Sequence, residues 1–144
     1  MWSDTLLALE RAHLLRLLAW GGMSAVAGTG LLAWLTIRHY DSALLRSFAL
    51  LTSILGAVHL LTGGIQLLRI ADRDFGSAIQ LDRLLWLSTG LDIGVILAGG
   101  TLGISSWILG RRLGGVGAGI AVIVQGLGLL LLHLRFLSIT GRIL

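Results

Sequence analysis

Four long apolar runs set the strongest limit on what this chain can fold into. They cover residues 14–37, 43–68, 84–109 and 115–134, and short polar clusters separate them. A helix needs about 20 apolar residues to cross the hydrocarbon core of a bilayer, so each run is long enough. The runs lack the two-residue alternation of membrane strands, and an open sheet edge cannot lie in lipid. The sequence therefore predicts an all-α fold, a four-transmembrane-helix bundle with antiparallel up-down helices.

A short N-terminal segment precedes the first run and is predicted to extend it as a helix at the membrane surface. Ser3, Asp4 and Thr5 are residues that cap helix starts, and leucines follow them at helical spacing. Glu10 and Arg11 are placed on the wet side of this N-terminal interfacial helical extension. Together with the four runs, it is expected to form a single transmembrane domain over residues 1–144.

Composition narrows the classes of function further. Hydrophobic residues make up 56% of the 144 residues and charged residues only 12%, which suits lipid better than water. The absence of cysteine excludes thiolate nucleophiles, disulfides and thiolate metal ligands. The basic residues are arginines at the ends of the apolar runs, and they form no stripe of the kind that binds nucleic acid. We therefore expect membrane lipids as partners, and no nucleic acid.

Arginine and tryptophan positions predict how the helices are oriented. Four spans place both termini on one side of the membrane, and that side has Arg11, Arg16, Arg69, Arg73, Arg83, Arg135 and Arg142. The other side has Arg38, Arg46, Arg111 and Arg112. Under the positive-inside rule this favours cytoplasmic termini, and we expect a multi-pass protein of the bacterial inner membrane. The predicted interface anchors near the span ends are Trp34, Trp86 and Trp107.

Glycine spacing indicates where helices meet closely. Small residues four apart let two backbones approach, and dispersion and Cα–H contacts then stabilise the pair. The third and fourth spans have this pattern at Gly90, Gly94, Gly99, Gly103, Gly115 and Gly119. The favoured interpretation is packing inside the bundle, and the alternative is a face for a partner subunit or another copy of the chain.

Five polar side chains from the four spans are predicted to share one buried layer. They are Ser24, His59, Thr62, Asp92 and Gln125. At about 1.5 Å per helical residue, they lie roughly 10 to 18 Å from the side of the termini. An ionised Asp92 facing lipid is costly, so we expect it to point inward and meet a donor such as His59 or Gln125. Interhelical hydrogen bonds are the favoured role, with a proton relay, polar ligand site or quinone contact as the alternative.

Histidine positions weigh against a haem held by two histidines. His59 and His133 differ in depth by roughly 9 Å, and His13, His39 and His133 fall near interfaces. A haem or chlorophyll-type pigment held by a single axial bond from His59 stays open as a less favoured alternative. No nucleophile, base and acid can be assembled at one level, and no cluster has metal-ligand spacing. We therefore predict no catalytic residue and no metal site.

Three segments resemble an uncharacterised bacterial family of small four-helix membrane proteins, described only as a domain of unknown function. The strongest is residues 88–94, in which Gly-Leu-Asp and a small residue match a family motif and Ser-Thr replaces the usual Asn-Ala. The other two are the glycine-rich entry at 115–117 leading to the Gln-Gly pair at 125–126, and Gly22-Met23 in the first span.

This resemblance implies the four-helix membrane fold, and it implies no activity. Asp92 and Gln125 match the family pattern, so the resemblance implies that they face each other or a common ligand. His59 stands where the family tends to have asparagine, and His133 stands where an acidic residue is expected. Histidine chemistry is therefore not implied as a property of the family.

The function that we expect from the sequence is a non-catalytic membrane subunit or scaffold, packed through its glycine faces in a larger assembly of other transmembrane subunits or of itself. One alternative is a small proton-linked transporter that uses the Asp92, His59 and Gln125 layer. Four-span multidrug carriers have their essential carboxylate in the first span, and here that span has no acid. A second alternative is a pigment- or quinone-binding membrane protein, and an enzyme acting on lipids ranks last.

Overall fold

The computed structural model describes residues 2–70 and 75–141, and they form four long helices. The helices are α1 (Trp2–Ile37), α2 (Ala43–Leu68), α3 (Phe75–Ile108) and α4 (Leu113–Thr140). The described residues contain no strand, so the predicted all-helical class is confirmed. Each helix is long and apolar enough to cross a membrane, which indicates a multi-pass membrane protein.

Three helices are longer than the apolar runs that predict them. α1 is continuous from Trp2, so the predicted N-terminal extension belongs to the same helix as the first span. α3 begins at Phe75, before the run that starts at residue 84, and α4 continues to Thr140, past residue 134. Helix formation needs backbone hydrogen bonds and not apolar side chains, so a helix continues beyond the run where no proline or glycine ends it.

Two tight turns join the helices at one end of the bundle. Ser42 caps α2, since its side chain accepts a hydrogen bond from the Leu45 backbone N–H at 3.3 Å. The second turn contains Gly110, which has a φ of 128°. Glycine adopts this backbone angle freely, whereas other residues adopt it only with strain. We call this end of the molecule the turn half. The opposite end, which has the start of α1 and the end of α4, is the terminal half.

Glycines bring α1 and α2 into direct backbone contact. A Cβ atom on Gly56 would lie 2.5 Å from the backbone nitrogen of Ala25, and one on Gly21 would lie 2.9 Å from the Gly56 carbonyl oxygen. One on Gly28 would lie 2.6 Å from the backbone nitrogen of Ser53. No side chain fits at these positions, so the two helices pack at the closest separation that their backbones allow.

The same type of contact joins α3 to α4 and α2 to α4. A Cβ atom on Gly119 would lie 2.6 Å from the Gly99 carbonyl oxygen and 2.7 Å from the Gly103 nitrogen. Gly117 lies against the backbone of Leu44 in the same way. α4 therefore connects the α1–α2 pair to α3, and it does so through small residues.

α3 is the outermost helix of the bundle. Across the described residues, no Cα atom of α3 lies within 8 Å of a Cα atom of α1 or α2. In the terminal half, side chains fill part of this space, where Leu85 of α3 joins Phe136 and Leu137 of α4 in a cluster that Leu9 of α1 also contacts. A gap between α2 and α3 remains beside this cluster.

Candidate functional site

Asp92 and His133 form a buried pair between α3 and α4. The Asp92 Oδ2 atom lies 2.6 Å from the His133 Nδ1 atom, and Asp92 is 5% exposed. The predicted inward orientation of Asp92 agrees with this position. The expected partners were wrong: among the described residues, the carboxylate is hydrogen-bonded to His133 and not to His59 or Gln125. The pair lowers the cost of burying the carboxylate inside the bundle.

The length of α4 explains why His133 reaches this depth. The apolar run that predicts the fourth span ends at residue 134, which puts His133 near an interface. α4 instead continues to Thr140, so nearly two more helical turns follow His133 and it lies inside the bundle. A carboxylate hydrogen-bonded to one ring nitrogen orients an imidazole and leaves its other nitrogen to accept or donate a proton.

A second histidine lies beside this pair, on the side nearer the chain termini. The ring of His13 on α1 lies 5.4 Å from the ring of His133, centroid to centroid, and it stacks on Phe136 at 4.5 Å. One helical turn before His13, Glu10 is only 7% exposed. The predicted placement of Glu10 on the wet side of α1 is therefore wrong. Glu10 lies on the same face of α1 as His13, and this face packs against α4.

Gln125 belongs to a separate hydrogen-bonded group between α1 and α4. Its Nε2 atom donates to the Ser24 Oγ atom at 3.0 Å, and its Oε1 atom accepts from the Trp20 indole N–H at 3.0 Å. Ser24 and Gln125 are both buried. Both the nitrogen and the oxygen of the amide therefore have a partner inside an apolar bundle, which is the usual requirement for a buried polar side chain.

Among the described residues, the other two members of the predicted polar layer make no hydrogen bond to either of these groups. Thr62 is exposed and donates to the Val58 carbonyl oxygen of its own helix at 2.9 Å, so its assignment to the buried layer is wrong. The Nδ1 atom of His59 is buried and has no hydrogen-bond partner among the described residues. Gly21 of α1 packs closely against this residue, since a Cβ atom on Gly21 would lie 3.0 Å from the His59 Cβ atom.

The six glycines of α3 and α4 that were predicted to mark close packing divide into two sets. Those in the turn half take part in close contacts, with Gly99 and Gly103 against Gly119, and Gly115 against Ser106. At Gly90 and Gly94, a Cβ atom would have no neighbour within 4 Å among the described residues. Packing inside the bundle therefore does not explain Gly90 or Gly94, which lie on an open face of α3.

The three tryptophans predicted as interface anchors are on the outside of the bundle. Trp34 is 49% exposed, Trp86 is 61% exposed and Trp107 is 50% exposed. Trp107 also lies under the guanidinium of Arg111, 5.3 Å from its ring centroid, at the turn between α3 and α4. Outward orientation is what an interfacial role requires of these side chains.

Chemically, the arrangement brings several titratable side chains close together. Asp92, His133, His13 and Glu10 form a line of titratable side chains on three helices, and His59 and Arg69 approach it from α2. Among the described residues, no three histidine, aspartate or glutamate side chains are grouped so that they could hold a metal ion. A proton relay requires such titratable neighbours and requires no metal.

Sequence reasoning missed Glu10 and His13, although a signal was present. Leu6, Glu10, His13, Leu14 and Leu17 recur at three- and four-residue spacing, and all five are buried. Such spacing marks one face of a helix, so the polar pair could have been assigned to the packed face of α1. The glycine contacts of α1 with α2 also had a signal, because Gly21 and Gly28 are seven residues apart, as are Ala49 and Gly56.

Comparison with known proteins gives one match. The model of DUF6992, a family of unknown function, matches residues 16–134. No curated protein and no solved structure matches the chain. The matched range includes Asp92, His133 and Gln125, and it begins after Glu10 and His13.

Proposed function

Because the chain belongs to the DUF6992 family, whose function is unknown, we propose a function from the geometry of the site: a small proton-linked membrane transporter. The observation that carries the proposal is the buried contact between Asp92 and His133. Buried ionisable groups are rare inside membrane bundles, and where they occur they often form proton relays or substrate sites. The Asp92–His133 pair holds the proton that is coupled to transport.

The neighbouring side chains support a path for that proton. His13 lies next to His133. Glu10 lies one helical turn closer to the N-terminus. Adjacent imidazoles can relay a proton, because one ring nitrogen can accept a proton while the other releases one. The excess of arginines on the side of the termini favours a cytoplasmic opening for this path, in the inner membrane of a bacterium.

Proteoliposomes test this function directly. The protein is reconstituted into vesicles of native membrane lipids, which contain the lipophilic compounds of that membrane, and an internal dye reports acidification after an external pH drop. We expect faster acidification than in protein-free vesicles, and loss of the difference with Asp92→Asn, which cannot release a proton. Asp41→Asn makes the same chemical change at an exposed turn residue and should leave the rate unaltered.

Two results would contradict the proposal. One is wild-type vesicles that acidify no faster than protein-free vesicles. The other is an Asp92→Asn rate equal to the wild-type rate in protein that is folded, as judged by circular dichroism and a symmetric size-exclusion peak. The second result would mean that the Asp92–His133 pair only stabilises the bundle.

A scaffold role is the second candidate, and the open face at Gly90 and Gly94 favours it. Among the described residues, α3 has Cα atoms within 8 Å of α4 and of no other helix, so a helix of another subunit or of a second copy could approach its outer face closely. In the gently extracted native particle, Gly94→Leu should then lower the mass and leave unfolding unchanged. An unchanged mass would remove this support for the scaffold.

A further inference from the structure

A cavity lies beside the Asp92–His133 pair in the terminal half. Its volume is about 410 Å³, and all four helices contribute to its lining. The polar lining residues are Glu10, His13, Gln66, Arg69, Ser88 and His133. Leucines, isoleucines and Phe136 form the rest of the wall. The cavity therefore has a polar end at the histidines and a larger apolar surface.

The cavity opens sideways between α2 and α3. These helices have no Cα atoms within 8 Å of each other in the described residues, and one lining residue on each side of the gap is well exposed. Ile65 of α2 is 50% exposed and Leu84 of α3 is 58% exposed. In a membrane, apolar residues at such a gap face hydrocarbon, so a ligand that enters here comes from the bilayer and must dissolve in it.

The charges of the lining favour an uncharged ligand. Glu10 and Arg69 are its acidic and basic residues among those described, and their opposite charges cancel. Asp92 lies behind His133 and is already hydrogen-bonded. A ligand with a net charge would therefore lose its hydration and find no unbalanced opposite charge in the lining. A neutral molecule avoids this desolvation cost.

The polar end can make hydrogen bonds with oxygen atoms of a ligand. Since Nδ1 of His133 contacts Asp92, Nε2 is the ring nitrogen left for the cavity. Ser88 on α3 and Gln66 on α2 add a hydroxyl and an amide to the lining. Such a set suits hydroxyl or carbonyl groups on a flat ring, beside the aromatic faces of His13 and Phe136.

We propose that this cavity binds a neutral lipophilic ring with hydroxyl or carbonyl groups, of the quinone and quinol class. The ring oxygen meets Nε2 of His133, and the apolar tail leaves through the gap between α2 and α3. This inference rests on the proposed function to the extent that His133 is the proton site, and it names the class of molecule that binds beside that site through a hydrogen bond. Binding involves no electron transfer.

The binding test uses the full chain in nanodiscs, with its histidine side chains labelled with ¹⁵N and ¹³C. Decylubiquinone and its reduced form are the probes, and the chemical shifts of His133 and His13 are followed as the probe concentration rises. We expect saturable shifts at both residues and none at His39, which lies in the turn between α1 and α2.

Two tryptophan variants on α3 show whether the cavity is the site. Leu84 and Leu87 are 58% and 59% exposed, and only Leu84 lines the cavity. Leu84→Trp places a large ring at the entrance and should weaken binding about tenfold or more, whereas Leu87→Trp should leave it unchanged. Both positions are exposed, so neither variant is expected to unfold the chain. Equal binding to the two variants would overturn the proposal.

The probe's charge and the proton measurement separate this inference from the proposed function. Saturable shifts with tetraphenylphosphonium but not with the quinone would overturn the neutral ligand class. If decylubiquinone causes no saturable shift while acidification still depends on Asp92, the inference fails and the transporter stands. If binding is saturable and blocked by Leu84→Trp while no proton movement is found, the ligand site stands and the transporter fails.

Discussion

The turn half and the terminal half of this bundle are built from different residues. In the turn half, glycine and alanine put backbone against backbone, and Ala49 and Ala121 are both 0% exposed. In the terminal half, leucine, histidine and phenylalanine hold the helices further apart, and a cavity of about 410 Å³ remains. Small residues make a rigid, dry contact, and large ones leave space for a polar site. The closest helix contacts and this polar cavity thus lie in different halves of the molecule.

The largest expected effect is from Gly119→Leu in the turn half. The new side chain would meet the backbone of Gly99 and Gly103, which cannot move aside like a flexible side chain. We expect the free energy of unfolding in detergent to fall by about 3 kcal/mol, or the chain not to fold. Gly90→Leu is the control, because its side chain would enter open space on α3. Equal loss in both variants would contradict the division into two halves.

Gln125→Leu tests the hydrogen-bonded group nearer the middle of the bundle. It removes the acceptor of the Trp20 indole and the donor to Ser24, both of which stay buried or half-buried. We expect a loss of about 1 to 2 kcal/mol in the free energy of unfolding, measured by denaturant titration. Thr101→Val is a suitable control, since Thr101 is exposed and bonds only within its own helix. A loss no larger than that of the control would mean that the group does not stabilise the packing.

The smallest effect on stability is expected from His13→Phe in the terminal half. Phenylalanine keeps the stacking against Phe136, so we expect unfolding to change by less than about 1 kcal/mol. The imidazole is lost, so acidification of proteoliposomes should slow by about tenfold or more. A large loss of stability with normal proton movement would assign His13 to packing and remove it from the proton path.

Asp92 best shows how much of the site could be predicted from the sequence. Its cost in lipid predicts an inward orientation from the sequence alone, and the structure has it buried. Its partner could not be predicted by counting residues from the expected span ends, because the real end of α4 is at Thr140. A shift of a few residues changes depth by several ångströms at about 1.5 Å per residue. The same error in depth led to His59 as the expected partner and made His133 look interfacial.

By itself, the sequence determined the number of helices, their apolar character and the family. A bilayer requires long apolar runs, and each run can be recognised from consecutive residues without knowledge of the fold. Only the tertiary structure decided which glycines pack and which polar groups meet. Gly94 and Gly99 have similar surroundings in sequence, yet one is open and the other contacts α4. Their difference depends on the side of α3 that α4 covers, and no local pattern contains that information. The contact between Asp92 and His133 likewise depends on how α3 and α4 are aligned along their lengths.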